Sequence, residues 1–118
     1  MVDLVISLSK RDGTWNYVAK LINEYSWDNI IILTDKFSGS EFKLDKKADF
    51  VIIDTTLSLV SLAKEIKEKL TGKIKGIEVA VNFVSGEGKE HMALMSALLR
   101  LGLGVRFFAL KPEGLEEL

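Results

Sequence analysis

The chain has no cysteine and a single histidine, His91. The first absence excludes disulfides, thiolate nucleophiles and sulfur metal sites, and the second argues against zinc sites of the common kinds. No apolar run reaches membrane-spanning length, and no basic segment leads into a signal core at the amino terminus. A cytoplasmic protein with no membrane partner is therefore expected. Charge of one sign is also missing. Sixteen Lys and Arg against 17 Asp and Glu leave a net charge of -1, without the basic excess that a nucleic-acid surface needs, so direct DNA binding is not expected. Glutamine is absent while Glu and Lys abound, a balance that leans towards a thermophilic source. Repeats and low-complexity segments are absent too.

What remains is a soluble-type composition, 47% hydrophobic and 28% charged over 118 residues, which suits one domain with a real core. Residues 77–110 organise the rest. An apolar run rich in β-branched residues breaks at Ser85-Gly86-Glu87-Gly88-Lys89, continues as an Ala/Leu/Met-rich helix and closes in a second apolar run. Both runs lack the alternation of a half-wet strand, so they read as parallel strands covered on both faces and joined by a crossover helix.

Upstream, residues 2–8 and 29–34 read as buried strands. Between them Trp15, Val18, Ala19, Ile22 and Tyr25 form one helical face. Residues 35–47 read as a loop or a single helical turn. Residues 50–54 form a third strand, and Thr55, Thr56 or Ser58 caps a one-faced helix that ends near Gly72. This alternation predicts an α/β domain over residues 1–110, with a tail over 111–118. Its expected architecture is a Rossmann-like, doubly wound, mainly parallel five-stranded sheet with helices on both faces. In strand order 3-2-1-4-5 the winding reverses between the first and fourth strands, where ligands enter open sheets of this type. The two loops that meet there are residues 9–14 and 84–91.

The second loop has the chemistry of an anion or nucleotide pocket. Gly86 and Gly88 permit close backbone approach, the helix start offers free amides, and Lys89 adds a charge that Lys10 and Arg11 face from the first loop. It is not a P-loop: Phe83 stands where the first glycine belongs and Glu90 where Ser or Thr belongs. It is not the dinucleotide fingerprint either, because it follows the fourth strand and lacks the third glycine. Each residue also has a plainer role open to it. Lys89 can be a solvated charge, Gly86 and Gly88 turn glycines, Ser9 a turn residue, and Asn82 a bridge between loops. His91 reads as a first-turn polar residue rather than an acid-base catalyst. Trp15 and Trp27 read as core and rim. Asp35 and Asp54 sit at strand ends suited to Mg2+, but no partner carboxylate is placed beside them.

Asn82, Ser85, Gly86, Lys89, Met92 and the Ala/Leu/Met-rich helix resemble the motif of CRISPR-associated Rossmann fold (CARF) domains. The serine-bearing first loop and the order of elements extend the resemblance over nearly the whole chain. It differs from the family in that Glu87 separates glycines that are usually adjacent, and Glu87 and Glu90 place negative charge by the pocket. The resemblance implies a homodimer that binds cyclic oligoadenylate across its two-fold axis without a cofactor. Ser9 and Lys10 would contact the ligand from the first loop, with Arg11 nearby, and Asn82, Ser85, Gly86, Gly88 and Lys89 from the second. It also implies a variant, the metal-independent ring nuclease, with Lys89 and Ser9 as its catalytic pair. Residues 111–118 hold no effector, which leaves a stand-alone sensor, a ring nuclease or a fragment.

The helix from Met92 to Leu101 carries a dimer argument of its own. It is apolar nearly all round, one face suffices for packing on a sheet, and Met92, Met95 and Leu99 are left for a second copy. Two other classes stay open: an interaction module with an empty crevice, and a small enzyme acting on a phosphorylated metabolite.

Overall fold

The computed structural model describes residues 2–9 and 13–118. In chain order the elements are β1 (Asp3–Leu8), α1 (Trp15–Asn23), β2 (Ile30–Thr34), α2 (Lys36–Glu41), β3 (Asp49–Ile52), α3 (Leu59–Leu70), β4 (Glu78–Asn82), α4 (Gly88–Arg100), β5 (Gly104–Lys111) and β6 (Gly114–Glu117). They build one six-stranded sheet in the order β3-β2-β1-β4-β5-β6. All neighbours are parallel except β5 and β6.

β1 lies at the centre, with Ile6 opposite Ile32 of β2 and Asn82 of β4. Its six residues are all buried, as a strand flanked on both edges and both faces must be. Alternation along the strands sorts the core into two layers. Val5 joins Ile31, Val81, Leu62, Ile66, Leu94 and Leu98 beneath α3 and α4. Leu4, Ile6 and Leu8 join Val18, Leu21 and Ile22 of α1 on the opposite face. Complete burial of a leucine or isoleucine stabilises by about 1.5–3 kcal/mol, so these two layers hold the sheet between its helices. Among the described residues no helix is long and apolar enough to cross a membrane.

Four expectations change. The sheet has six strands rather than five, because residues 111–118, expected as a tail, fold back: Pro112 and Glu113 make a two-residue turn and Gly114–Glu117 pairs antiparallel with β5. Cross-strand charge fastens that hairpin, through Arg106 to Glu117 at 2.6 Å and Lys111 to Glu116 at 2.8 Å. Next to this edge, β5 is not covered on both faces, and none of its eight residues is fully buried. The stretch between β2 and β3 contains the six-residue helix α2, whose start is capped by Asp35 accepting from the Ser38 amide and hydroxyl at 2.8 and 2.9 Å. Finally α1 stops at Asn23, short of Tyr25, and β3 stops at Ile52, short of Asp54. Of the three proposed caps for α3, Ser58 is the one used: its hydroxyl accepts from the Ser61 amide at 3.3 Å.

Candidate functional site

The strand order reverses at β1, so the chain leaves β1 and β4 in adjacent positions at the same end of the sheet. The loops that follow are bonded to each other through Ser85, which is completely buried. Its hydroxyl accepts from the Ser9 amide at 3.0 Å. Its carbonyl accepts twice, from the Ser7 hydroxyl at 2.5 Å and from Nε2 of His91 at 2.8 Å. That second bond makes Nε2 the protonated nitrogen of the neutral ring. The imidazole is stacked on Phe83, with ring centroids 5.0 Å apart and planes 9° from parallel. His91 is thus a clamp on the loop, which agrees with its reading as a first-turn polar residue.

Gly86 follows with φ +102, and a Cβ there would stand 2.9 Å from His91 Nε2 and 3.1 Å from the Ser7 hydroxyl. Glycine is therefore required at this position by both backbone and space. Gly88 differs: it is the first residue of α4, and a Cβ there would meet nothing within 4 Å. The N-cap residue of α4, Glu87, makes no side-chain capping bond.

Beneath Gly86 a small crevice is lined by Ser7, Ser9, Thr34, Asp35, Thr55 and Glu90, among others. Its volume is about 20 Å3, enough for one water molecule and too small for a nucleobase. Thr34 and Asp35 are already engaged, the first donating to Leu8 O at 2.8 Å and the second capping α2. The charges on the described lining residues are the carboxylates of Asp35 and Glu90.

Of the residues selected from sequence, Ser9 and Gly86 line this crevice, and Ser85 lies buried behind them, bonded to Ser7 and Ser9. Asn82 does not open into it. It is buried, and its amide nitrogen donates to Phe108 O at 2.8 Å and to the Tyr17 hydroxyl at 3.3 Å, while its oxygen accepts from the Val84 amide at 3.0 Å. Tyr17 in turn accepts from the Leu110 amide at 2.7 Å. Asn82 therefore bridges β4, β5 and α1. Lys89 reaches sideways and donates to Thr55 O at 2.9 Å, on the loop after β3. Lys10 and Arg11 lie outside the described residues.

Asp35 caps α2 and Asp54 accepts from Thr56, and among the described residues no three acidic or histidine side chains are placed to hold a metal ion. The carboxyl of Asp54 is held below its usual range, chiefly by the Thr56 hydroxyl at 2.6 Å and also by the Thr56 amide at 3.0 Å, with Lys89 adding a smaller attraction. A depressed carboxyl stabilises the fold above its unfolded pKa, and that contribution fades as pH falls through the folded value. Thr56→Val removes the first donor, so Asp54 is expected to titrate closer to the ordinary aspartate range in a 13C carboxyl NMR titration. The small stability loss of the variant at neutral pH should shrink in acid. An unmoved titration would mean that the turn is held by other bonds.

Glu90, placed by the pocket from the sequence, does line the crevice. Sequence reading missed Ser7 and Thr34, and took Thr55 only as a possible cap. The available signal was their polarity at the carboxyl ends of apolar runs, since the ends of parallel strands face the crevice. No protein-family model matches the chain, and no curated protein matches it.

Proposed function

We propose that this chain is a Rossmann-like, doubly wound sensor domain that binds cyclic oligoadenylate as a homodimer, in the manner of the CARF domains its second loop resembles. The observation that carries this reading is the joining of the loops after β1 and β4 at the strand-order reversal. There Ser9 and Ser85 are locked together, and Gly86 brings backbone to the mouth of the crevice. The one-water volume beneath means that a ligand lies across the mouth rather than inside it. A ring spanning two such mouths, one from each copy, meets that geometry.

The dimer reading is supported by α4, where Met92 and Leu99 are 63% and 59% exposed although the opposite side of the helix is fully buried. The roles follow the chemistry of each group. Backbone at Gly86 and the start of α4 directs amides towards phosphate. Lys89, released from Thr55 O, adds full charge. In the cleaving variant the ribose 2'-hydroxyl loses its proton to solvent and attacks the adjacent phosphorus in line, the bond to the 5'-oxygen breaks, and that oxygen takes a proton from solvent and leaves as a hydroxyl, so that a 2',3'-cyclic phosphate remains; Lys89 stabilises the charge that develops on the phosphoryl oxygens.

The second reading, an interaction module without a ligand, is favoured by the carboxylates of Asp35 and Glu90 at the crevice. Thermal melting with cyclic tetra- and hexa-adenylate, against ATP and AMP, separates the two. Binding to the folded state alone adds roughly 2.7 kcal/mol at a hundredfold excess over Kd. A rise with one cyclic ligand supports the sensor; no rise with either leaves the module. Lys89→Ala should keep the melting temperature of the free protein within several degrees, since one half-buried bond from an ammonium to a carbonyl is worth about 1.5 kcal/mol. The same variant should abolish the ligand-induced rise. An undiminished rise would remove Lys89 from the site.

A further inference from the structure

Away from the crevice, α3 and α4 lie side by side and leave a groove of about 470 Å3 between them. Its floor is made of small side chains, Ala63 from α3 with Ala93 and Ala97 from α4, and its walls are Val60 and Met92. Val60 is 65% exposed, so the apolar surface is open to solvent. Three charged residues stand along it, Lys64, Lys67 and Arg100, all of them cations. None of the three has an ion-pair partner among the described residues, and no carboxylate is among the residues that line the groove.

We infer that this groove docks an amphipathic helix of another protein, one whose apolar ridge is flanked by Asp and Glu. Concave apolar surface between two helices is filled by the ridge of a third, with anchors at i, i+3 or i+4, and i+7. The lining spans residues 59–67 of α3 and 92–100 of α4, so the groove is about 12 Å long, which matches a helix of roughly two turns. The unpaired cations select acidic flanks and repel basic ones.

Other occupants fit less well. A second copy meeting the groove face to face would set Lys64, Lys67 and Arg100 against themselves. None of the chain's own four helices presents an apolar ridge flanked by acids. A flat bilayer does not fill a concavity, and the alanine floor offers nothing to phosphates or bases. Met92 belongs both to the groove wall and to the α4 face offered to a second copy, whereas Met95 and Leu99 lie outside the groove, so a two-fold contact centred on those two meets the groove only at its Met92 wall. The inference stands whether or not the crevice binds a cyclic nucleotide.

The test is fluorescence anisotropy of a labelled 14-residue helical peptide with a leucine ridge flanked by Glu, against the same peptide flanked by Lys and against phosphatidylserine vesicles. The Glu-flanked peptide is expected to bind roughly tenfold or more tightly than the Lys-flanked one. Combining Lys64→Glu, Lys67→Glu and Arg100→Glu should invert that preference, and Ser96→Trp, which fills the groove, should abolish binding of both peptides. Circular dichroism of each variant confirms the fold. No binding of the Glu-flanked peptide, equal binding of both peptides, indifference to the variants, or vesicle binding in place of peptide binding would each overturn the inference.

Discussion

Replacing Gly86 with alanine should lower the melting temperature by about 10 °C. The backbone there has φ +102, beyond the left-handed region that L-residues tolerate, and strain of that kind costs about 1–3 kcal/mol. The added methyl also collides with His91 Nε2 at 2.9 Å. The ring cannot turn aside cheaply, because it is stacked on Phe83 and bonded to Ser85 O. Strain and collision together reach about 2–4 kcal/mol, and in a domain of this size each kcal/mol shifts the transition by about 3–5 °C. Gly88→Ala is the control. That position has ordinary φ and open space, so its melting temperature should stay within about 2 °C of the parent. Similar curves for the two variants would show that the loop relaxes freely and that Gly86 is not the point that shapes the crevice.

Asn82→Ala should be comparably destabilising, by about 2–4 kcal/mol, with or without any ligand. The substitution removes the acceptor of the Val84 amide and the donor to Phe108 O in a buried place where water does not replace them easily. Each orphaned group costs about 1–3 kcal/mol. The measurement is urea unfolding of the free protein, with the slope checked for a constant exposed surface. A stable variant that loses only its response to cyclic oligoadenylate would assign Asn82 to the ligand instead. The expected result makes it a brace that holds the ends of β4 and β5 against Tyr17.

These two residues also mark the limit of what could be read in advance. Asn82, Ser85 and Gly86 stand out in sequence because they interrupt an apolar run at the end of a strand. That they do different things, one bracing α1 and the others shaping the crevice, depends on Asn82 ending β4 against α1 while Ser85 and Gly86 lie in the loop beyond it. Lys89 was expected at the pocket; its first partner is the carbonyl of Thr55, 34 positions away in the chain. A contact of that separation leaves no periodic trace. The strand β6 escaped for another reason: four residues, two of them glutamates, have neither the length nor the apolar run of a buried strand. It is held by its ladder with β5 and by Leu115 packed against the core, and Arg106 and Lys111 add exposed ion pairs.

By itself the sequence determined the alternation of strands and helices, because apolar period and glycine breaks are local properties set by the backbone geometry of each element. It also determined that α4 carries more apolar surface than one sheet face can bury. Only the tertiary structure decided that the sheet closes with an antiparallel sixth strand and that the crevice is one water wide. It alone decided that Ser85 ties the two loops, and that three unpaired cations line a groove beside α4. Each of these depends on side chains distant in the chain meeting at chosen distances, which pattern along a single chain does not encode.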